Sequence, residues 1–232
     1  MCALPKTFFY DTETTGLDPS KERIVEIAVY DSERRREFVS LVNPNCPIPK
    51  EASAVHKITD EMVKDAPQFE EVAKQFVDFC GADAILIAHN NDAFDIHFLK
   101  HEFRRAQRAF PDWVFVDSLK WARKYRPDLP RHTLQFLREI YGFEANQAHR
   151  ALDDVIILEN VFLAMVGDLT IDQIIALLKA PLGVKEMPFG KHRGMPLDKV
   201  PRSYLAWLKT SGALDKPENG ELKEELIKLD LI

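Results

Sequence analysis

The sequence predicts an α/β domain with a mixed, five-stranded sheet flanked by helices, followed by a small C-terminal module. Three observations predict it. Three strand-like segments come first and lie close together; helix-like and strand-like segments then alternate; a Pro/Gly-interrupted stretch near residue 181 precedes a tail of more basic composition. A length of 232 residues suits one main domain with an appendage.

The elements follow in order. Phe8, Phe9 and Tyr10 are an aromatic run of strand type, and the cluster Gly16, Leu17, Asp18 and Pro19 stops it. Residues 24–30 and 37–42 read as two further strands of a meander, joined by a turn at 31–33 and by Arg34, Arg35 and Arg36. Glu26, alone in an apolar strand, reads as a hydrogen-bonded structural acid. Residues 43–49 form a proline-rich loop before a short helix over 51–57. Another helix starts at Thr59 with Met62 and Val63 on its apolar side, and a third spans 69–79 with Val72, Phe76 and Phe79 on one face. The continuous apolar run 84–88 is of the type expected for a strand buried on both sides. Helices over 94–108, 133–141 and 150–166 and a strand over 113–116 complete the domain. Thr170 and Gln173 form a capping-box pattern, residues 180–183 read as a linker, and a helix over 218–229 carries Leu222, Leu226 and Leu229. The expected division is 1–168 for the main domain, 169–184 for helix and linker, and 185–232 for the module.

No apolar run approaches the roughly 18 residues that cross a bilayer. The first strand begins by about Thr7, which leaves no room for a signal peptide. Cys2, Cys46 and Cys80 show no ligand spacing, so reduced thiols and a cytoplasmic location are expected.

Asp11 and Glu13 are two apart on a strand, so both carboxylates project to one face and repel unless cations or protons intervene. Hard divalent cations with oxygen ligands are one good reason to place them so. The segment D-T-E-T-T-G-L from Asp11 resembles the first motif of the proofreading-type 3′–5′ exonucleases, the superfamily that carries three Asp, one Glu and a His. A-H-N-N-D-A-F-D from Ala88 resembles the second, and H-R-A-L-D-D from His149 resembles the third. All three occur in the family's order. The resemblance covers roughly residues 6–166 and implies a ribonuclease-H-like fold. Within the tail, the stretch from Pro188 to Leu208 resembles the exodeoxyribonuclease X branch of the superfamily.

By resemblance the metal ligands are Asp11, Glu13, Asp95 and Asp154, and the chemistry is two-metal hydrolysis of phosphodiesters with Mg²⁺, or Mn²⁺ in its place. Asp153 competes with Asp154. Helical periodicity aligns Asp154 with Leu158, Val161 and Met165 and favours it only weakly; the family spacing selects it. His149 would be the general base. Five residues of helix rotate by about 140° net, so it serves the same site as Asp154 only from the loop before the helix. Thr14, Gly16, Leu17, His56, Asn90 and Phe94 are the expected substrate contacts. Arg104, Arg105 and Arg108 could track a phosphate backbone, but read first as a solvated helix face.

A net charge of −6 is unlike the basic footprint of a nucleic-acid enzyme, but four of those charges are the site itself, and two divalent cations would cancel them. From residue 181 to 209, six basic residues face two acidic ones and interleave with Phe189, Tyr204 and Trp207. That pattern suits phosphate contact and base stacking, or else a small module with Tyr204, Leu205 and Trp207 in its own core. The resulting expectation is a 3′–5′ exodeoxyribonuclease acting on single-stranded or frayed DNA 3′ ends. The alternatives are the proofreading subunit of a polymerase, an RNA-trimming relative, and a non-catalytic DNA-end-binding module.

Overall fold

The computed structural model describes residues 6–144, 151–180, 183–216 and 219–232. His149, Arg150, Pro181 and Glu218, on which parts of the expected site, linker and last helix fall, lie outside the described residues. The chain separates into two compact units, Met1–Ile175 and Ala176–Ile232.

The first unit is built on a five-stranded sheet of order β3-β2-β1-β4-β5. Strands β1 (Thr7–Thr14), β2 (Ile24–Asp31) and β3 (Arg36–Leu41) form the antiparallel meander; β4 (Ile85–Ala88) and β5 (Val114–Asp117) run parallel to β1. The aromatic run therefore becomes the central strand. Between β3 and β4 come α1 (Lys50–His56), α2 (Asp60–Val63) and α3 (Phe69–Cys80); α4 (Asp95–Arg105) joins β4 to β5. Helices α5 (Ser118–Tyr125), α6 (Leu134–Ile140), α7 (Ala151–Val166) and α8 (Ile171–Lys179) follow.

Alternation along β1 assigns its side chains to two layers. Phe8 and Tyr10 enter the core with Phe76 of α3 and Phe98 of α4. Phe9 turns the other way and meets Phe162 of α7, ring centroids 6.0 Å apart. All four residues of β4 are buried, as its apolar run requires. Glu26 is buried too, and its Oε2 accepts the Ala151 backbone N–H at 3.1 Å. It satisfies a donor at the start of α7, the structural role expected of it.

The structure departs from several expectations. Helix α5 has no counterpart in the sequence reading; it starts directly at the end of β5, where the Asp117 carboxylate accepts the N–H groups of Leu119 and Lys120 as an N-cap. Met62 and Leu229, expected on apolar faces, are exposed. Phe94 stands before α4 rather than in it. Arg105 is no solvated cation: its guanidinium donates to the carbonyls of Pro19, Ser20 and Glu22 and to Glu102.

In the second unit, a 3-10 turn at Leu197–Lys199 precedes α9 (Arg202–Thr210), a second at Ala213–Asp215 follows it, and α10 (Gly220–Lys228) ends the fold. Leu205, Leu208, Leu222 and Leu226 fill its own core. Thr170 and Gln173 make the reciprocal capping bonds at the start of α8. No single described helix is long and apolar enough to cross a membrane.

Candidate active site

The end of β1 is where the two layers meet. Following Phe9, Asp11 and Glu13 point toward the α7 layer; following Phe8 and Tyr10, Thr12 points toward the α4 layer. Asp154, in the first turn of α7, completes a cluster in which one carboxylate oxygen from each of Asp11, Glu13 and Asp154 lies within 4.8 Å of the others. Asp95 arrives from the opposite layer. Strand β4 pairs beside Thr7–Phe9 and ends early, so the turn after it delivers the start of α4 next to Asp11. The Thr12 hydroxyl donates to Asp95 Oδ1 at 2.7 Å, and Gln135 Nε2 donates to Asp154 Oδ1 at 3.1 Å.

The electrostatics are strained in the manner of a cation site. Burial, then Asp95, Glu13 and Asp154, push the Asp11 carboxyl well above the ordinary range. Burial raises Asp95 to about 7 against the opposing hydrogen bond from Thr12. The donors are hard carboxylate oxygens without a sulfur or imidazole among the described ligands, the set that Mg²⁺ or Mn²⁺ prefers.

Beside the acids opens a hollow of about 510 Å³ lined by Thr14, Gly16, Leu17, His56 and Phe94 among others, so five of the six expected substrate contacts share it. Leu17 is 85% exposed at this hollow rather than folded into a local core. Gly16 leaves room for Glu22, whose Cδ would lie 2.9 Å from an added Cβ. His56 is buried and its Nδ1 accepts the Ile58 N–H.

Asn90 does not join that hollow. It lines a second one of about 560 Å³ with His89, Arg123, Arg131 and His132. The backbone there is left-handed (φ 72°) and is held by Asp117, whose carboxylate accepts the N–H groups of Asn90 and Asp92 at 3.1 and 3.0 Å. Nothing in the sequence reading pointed to Thr12, Gln135 or Asp117. The only available signals were their polar character inside or beside the motifs, and for Asp117 the capping position before Ser118.

A mixed sheet of this order with clustered carboxylates at the end of its central strand defines a ribonuclease-H-like hydrolase of the acidic-cluster type. The comparisons narrow that class. A family model described as Exonuclease (RNase_T) matches residues 8–162, and the chain belongs to that family; it is a 3′–5′ exonuclease. A second family model, described as a putative quorum-sensing-regulated virulence factor, matches residues 176–231. The chain is 34% identical over 163 residues to DNA polymerase III subunit epsilon of Treponema pallidum (strain Nichols), covering 68% of this chain and 75% of the relative. It is equally identical over 160 residues to the PolC-type DNA polymerase III of Staphylococcus haemolyticus (strain JCSC1435), of which the match spans only 11%. Among solved structures, exonuclease X in complex with 5′-overhanging duplex DNA aligns with a TM-score of 0.58 at 25% identity, covering 74% of this chain and 99% of that one.

Proposed function

We propose that the protein is a Mg²⁺- or Mn²⁺-dependent 3′–5′ exodeoxyribonuclease that releases 5′-mononucleotides from single-stranded or frayed DNA ends. The observation that carries this reading is the convergence of Asp11, Glu13 and Asp154 from two distant segments, with Asp95 alongside. These four acids would hold the ions. Divalent cations bound there supply charge to ionise a water and to stabilise a departing 3′ oxygen. The chain's own residues do the rest. Thr12 and Gln135 orient the Asp95 and Asp154 carboxylates through hydrogen bonds. Leu17, His56 and Phe94, with Thr14 and Gly16, line an apolar hollow that suits the terminal base and sugar. His149, by the family spacing, accepts the proton of the attacking water; an imidazole near pKa 6.5 suits that task at neutral pH. Asn90, Arg123 and Arg131 offer a polar and cationic path for the phosphates that follow the terminal nucleotide.

Identity to a polymerase III epsilon subunit favours a second reading, in which the same chemistry serves as the proofreading subunit of a DNA polymerase.

A panel of 5′-labelled oligonucleotides tests the first reading: DNA and RNA, single- and double-stranded, with Mg²⁺ or EDTA. The expected result is stepwise shortening of single-stranded DNA from its 3′ end in Mg²⁺ and none in EDTA. Equal digestion in EDTA would refute it, and faster digestion of RNA would transfer the proposal to RNA trimming.

A further inference from the structure

We propose that the second unit carries a nucleic-acid site of its own, a base-stacking face for single-stranded DNA made by Tyr204, Trp207 and the loop that bears Lys191, His192 and Arg193. The stacking face goes beyond the nuclease reading; only the choice of DNA as its ligand rests on that reading.

The unit's fully buried core is aliphatic; Tyr204 packs over it and Trp207 lies outside it. Leu205 and Leu208 of α9 point into it, while Trp207 is 56% exposed and Tyr204 only partly covered. The sequence alternative that puts Tyr204, Leu205 and Trp207 in one core therefore holds for Leu205, holds in part for Tyr204, which packs against that core, and fails for Trp207. Positions 204 and 207 share a helix face, and their rings stack with centroids 5.6 Å apart at 29°. The His192 and Tyr204 ring centroids lie 4.7 Å apart at 70°, so three aromatic rings form one continuous cluster.

The loop is built against that surface. Met187 N–H donates to Met195 and Gly194 N–H to Met187, which close it; Gly190 and Gly194 turn it with φ of 75° and 79°. A Cβ on Gly190 would collide with the Tyr204 hydroxyl, and its left-handed φ is one that glycine favours. Lys191 and Arg193 flank His192 and are exposed, as is Lys209 on α9. None of the three makes an ion pair among the described residues, whereas Lys199, Lys223 and Lys228 each pair with an acid.

Stacked, exposed rings beside unpaired cations match what a single strand presents, flat bases alternating with phosphates. A duplex hides its base faces, and an acidic peptide would use the cations but leave the rings idle.

Tryptophan fluorescence of the full-length protein in EDTA reads the site directly. Trp113 and Trp121 are buried and Trp207 is not, so a stacking base quenches Trp207 alone. A 15-nucleotide oligo-dT is expected to quench the wild type saturably and to leave Trp207→Phe unquenched. By fluorescence anisotropy of the labelled oligonucleotide, Trp207→Ala weakens binding about 5- to 150-fold, the range of one lost base–aromatic stack. Lys191→Ala with Arg193→Ala flattens the salt dependence by roughly one phosphate contact or more, a slope change of about 0.7 per contact. Wild-type protein that binds an abasic oligonucleotide as tightly as oligo-dT, or Trp207→Ala that binds like wild type, would overturn the proposal. Hydrolysis of p-nitrophenyl thymidine 5′-monophosphate in Mg²⁺, which reaches only the terminal-nucleotide site, reports the nuclease reading separately and is unchanged in Trp207→Ala.

Discussion

The acidic cleft of the first unit and the ring face of the second make opposite uses of charge. In the cleft, like charges from β1, α4 and α7 are forced together, and their repulsion is held in place by a sheet whose core is elsewhere. On the second unit, Trp207 and the cations lie on the surface, and Tyr204 packs over the leucine core. Removing a carboxylate from the cleft should alter chemistry strongly and raise the stability of the metal-free fold; changes at Trp207 and the exposed cations should alter binding and leave the fold untouched.

Several substitutions sharpen that contrast. Asp11→Asn removes a carboxylate shared by the whole cluster and should lower Mg²⁺-dependent hydrolysis by roughly 10³-fold or more, since several kcal/mol of transition-state stabilisation depend on bound metal. Single-turnover rates on oligo-dT check it. His149→Ala should reduce turnover by roughly 10²–10⁴-fold while DNA binding persists, the loss expected of a general base; near-normal turnover would remove His149 from the mechanism. Thr12→Val and Gln135→Ala each delete one hydrogen bond to an acid, and each should cost about 10- to 100-fold in metal affinity or rate. A Mg²⁺ titration of activity separates the two: a shifted midpoint with the same plateau indicates metal affinity.

The smallest effect has the opposite sign. Folding raises the Asp95 carboxyl to about 7, above its unfolded value near 3.9, so the folded state holds more protons in between. The fold is thus favoured by this group at low pH and loses that contribution as pH rises from about 4 toward 7. In EDTA, melting at pH 8 should fall below melting at pH 5.5. Asp95→Asn should flatten that difference and raise Tm at pH 8 by about 2–4 °C, on the order of 1 kcal/mol. Mg²⁺ should raise the wild-type Tm at pH 8 and leave Asp11→Asn unmoved. Melting curves in EDTA and Mg²⁺ at the two pH values decide this.

The fold was readable where period and chemistry agreed. The aromatic run before Asp11 specifies a strand, and alternation alone puts Asp11 and Glu13 on one face; the apolar run before His89 specifies a buried strand that ends at the second motif. Glu26 was legible as a structural acid because a lone carboxylate in an apolar strand needs a donor, which Ala151 supplies. Helix α5 was not legible, since it begins directly after the last residue of a strand with no turn residues between. The partners of the acids were hidden for a different reason. Thr12 and Asp95, or Gln135 and Asp154, meet only because separate elements converge, and neither hydrophobic period nor spacing encodes that convergence. The placement of Leu17 in the open and of Trp207 outside its core likewise depends on what the rest of the chain leaves uncovered.

The claim on which the cleft depends is that Asp11, Glu13, Asp95 and Asp154 together form one cation site. Electron paramagnetic resonance of Mn²⁺ titrated into metal-free protein measures it without reference to any substrate. The wild type is expected to bind Mn²⁺, and Asp11→Asn, Glu13→Gln, Asp95→Asn and Asp154→Asn are each expected to weaken or abolish that binding. Wild-type affinity retained in any one of the four would contradict it.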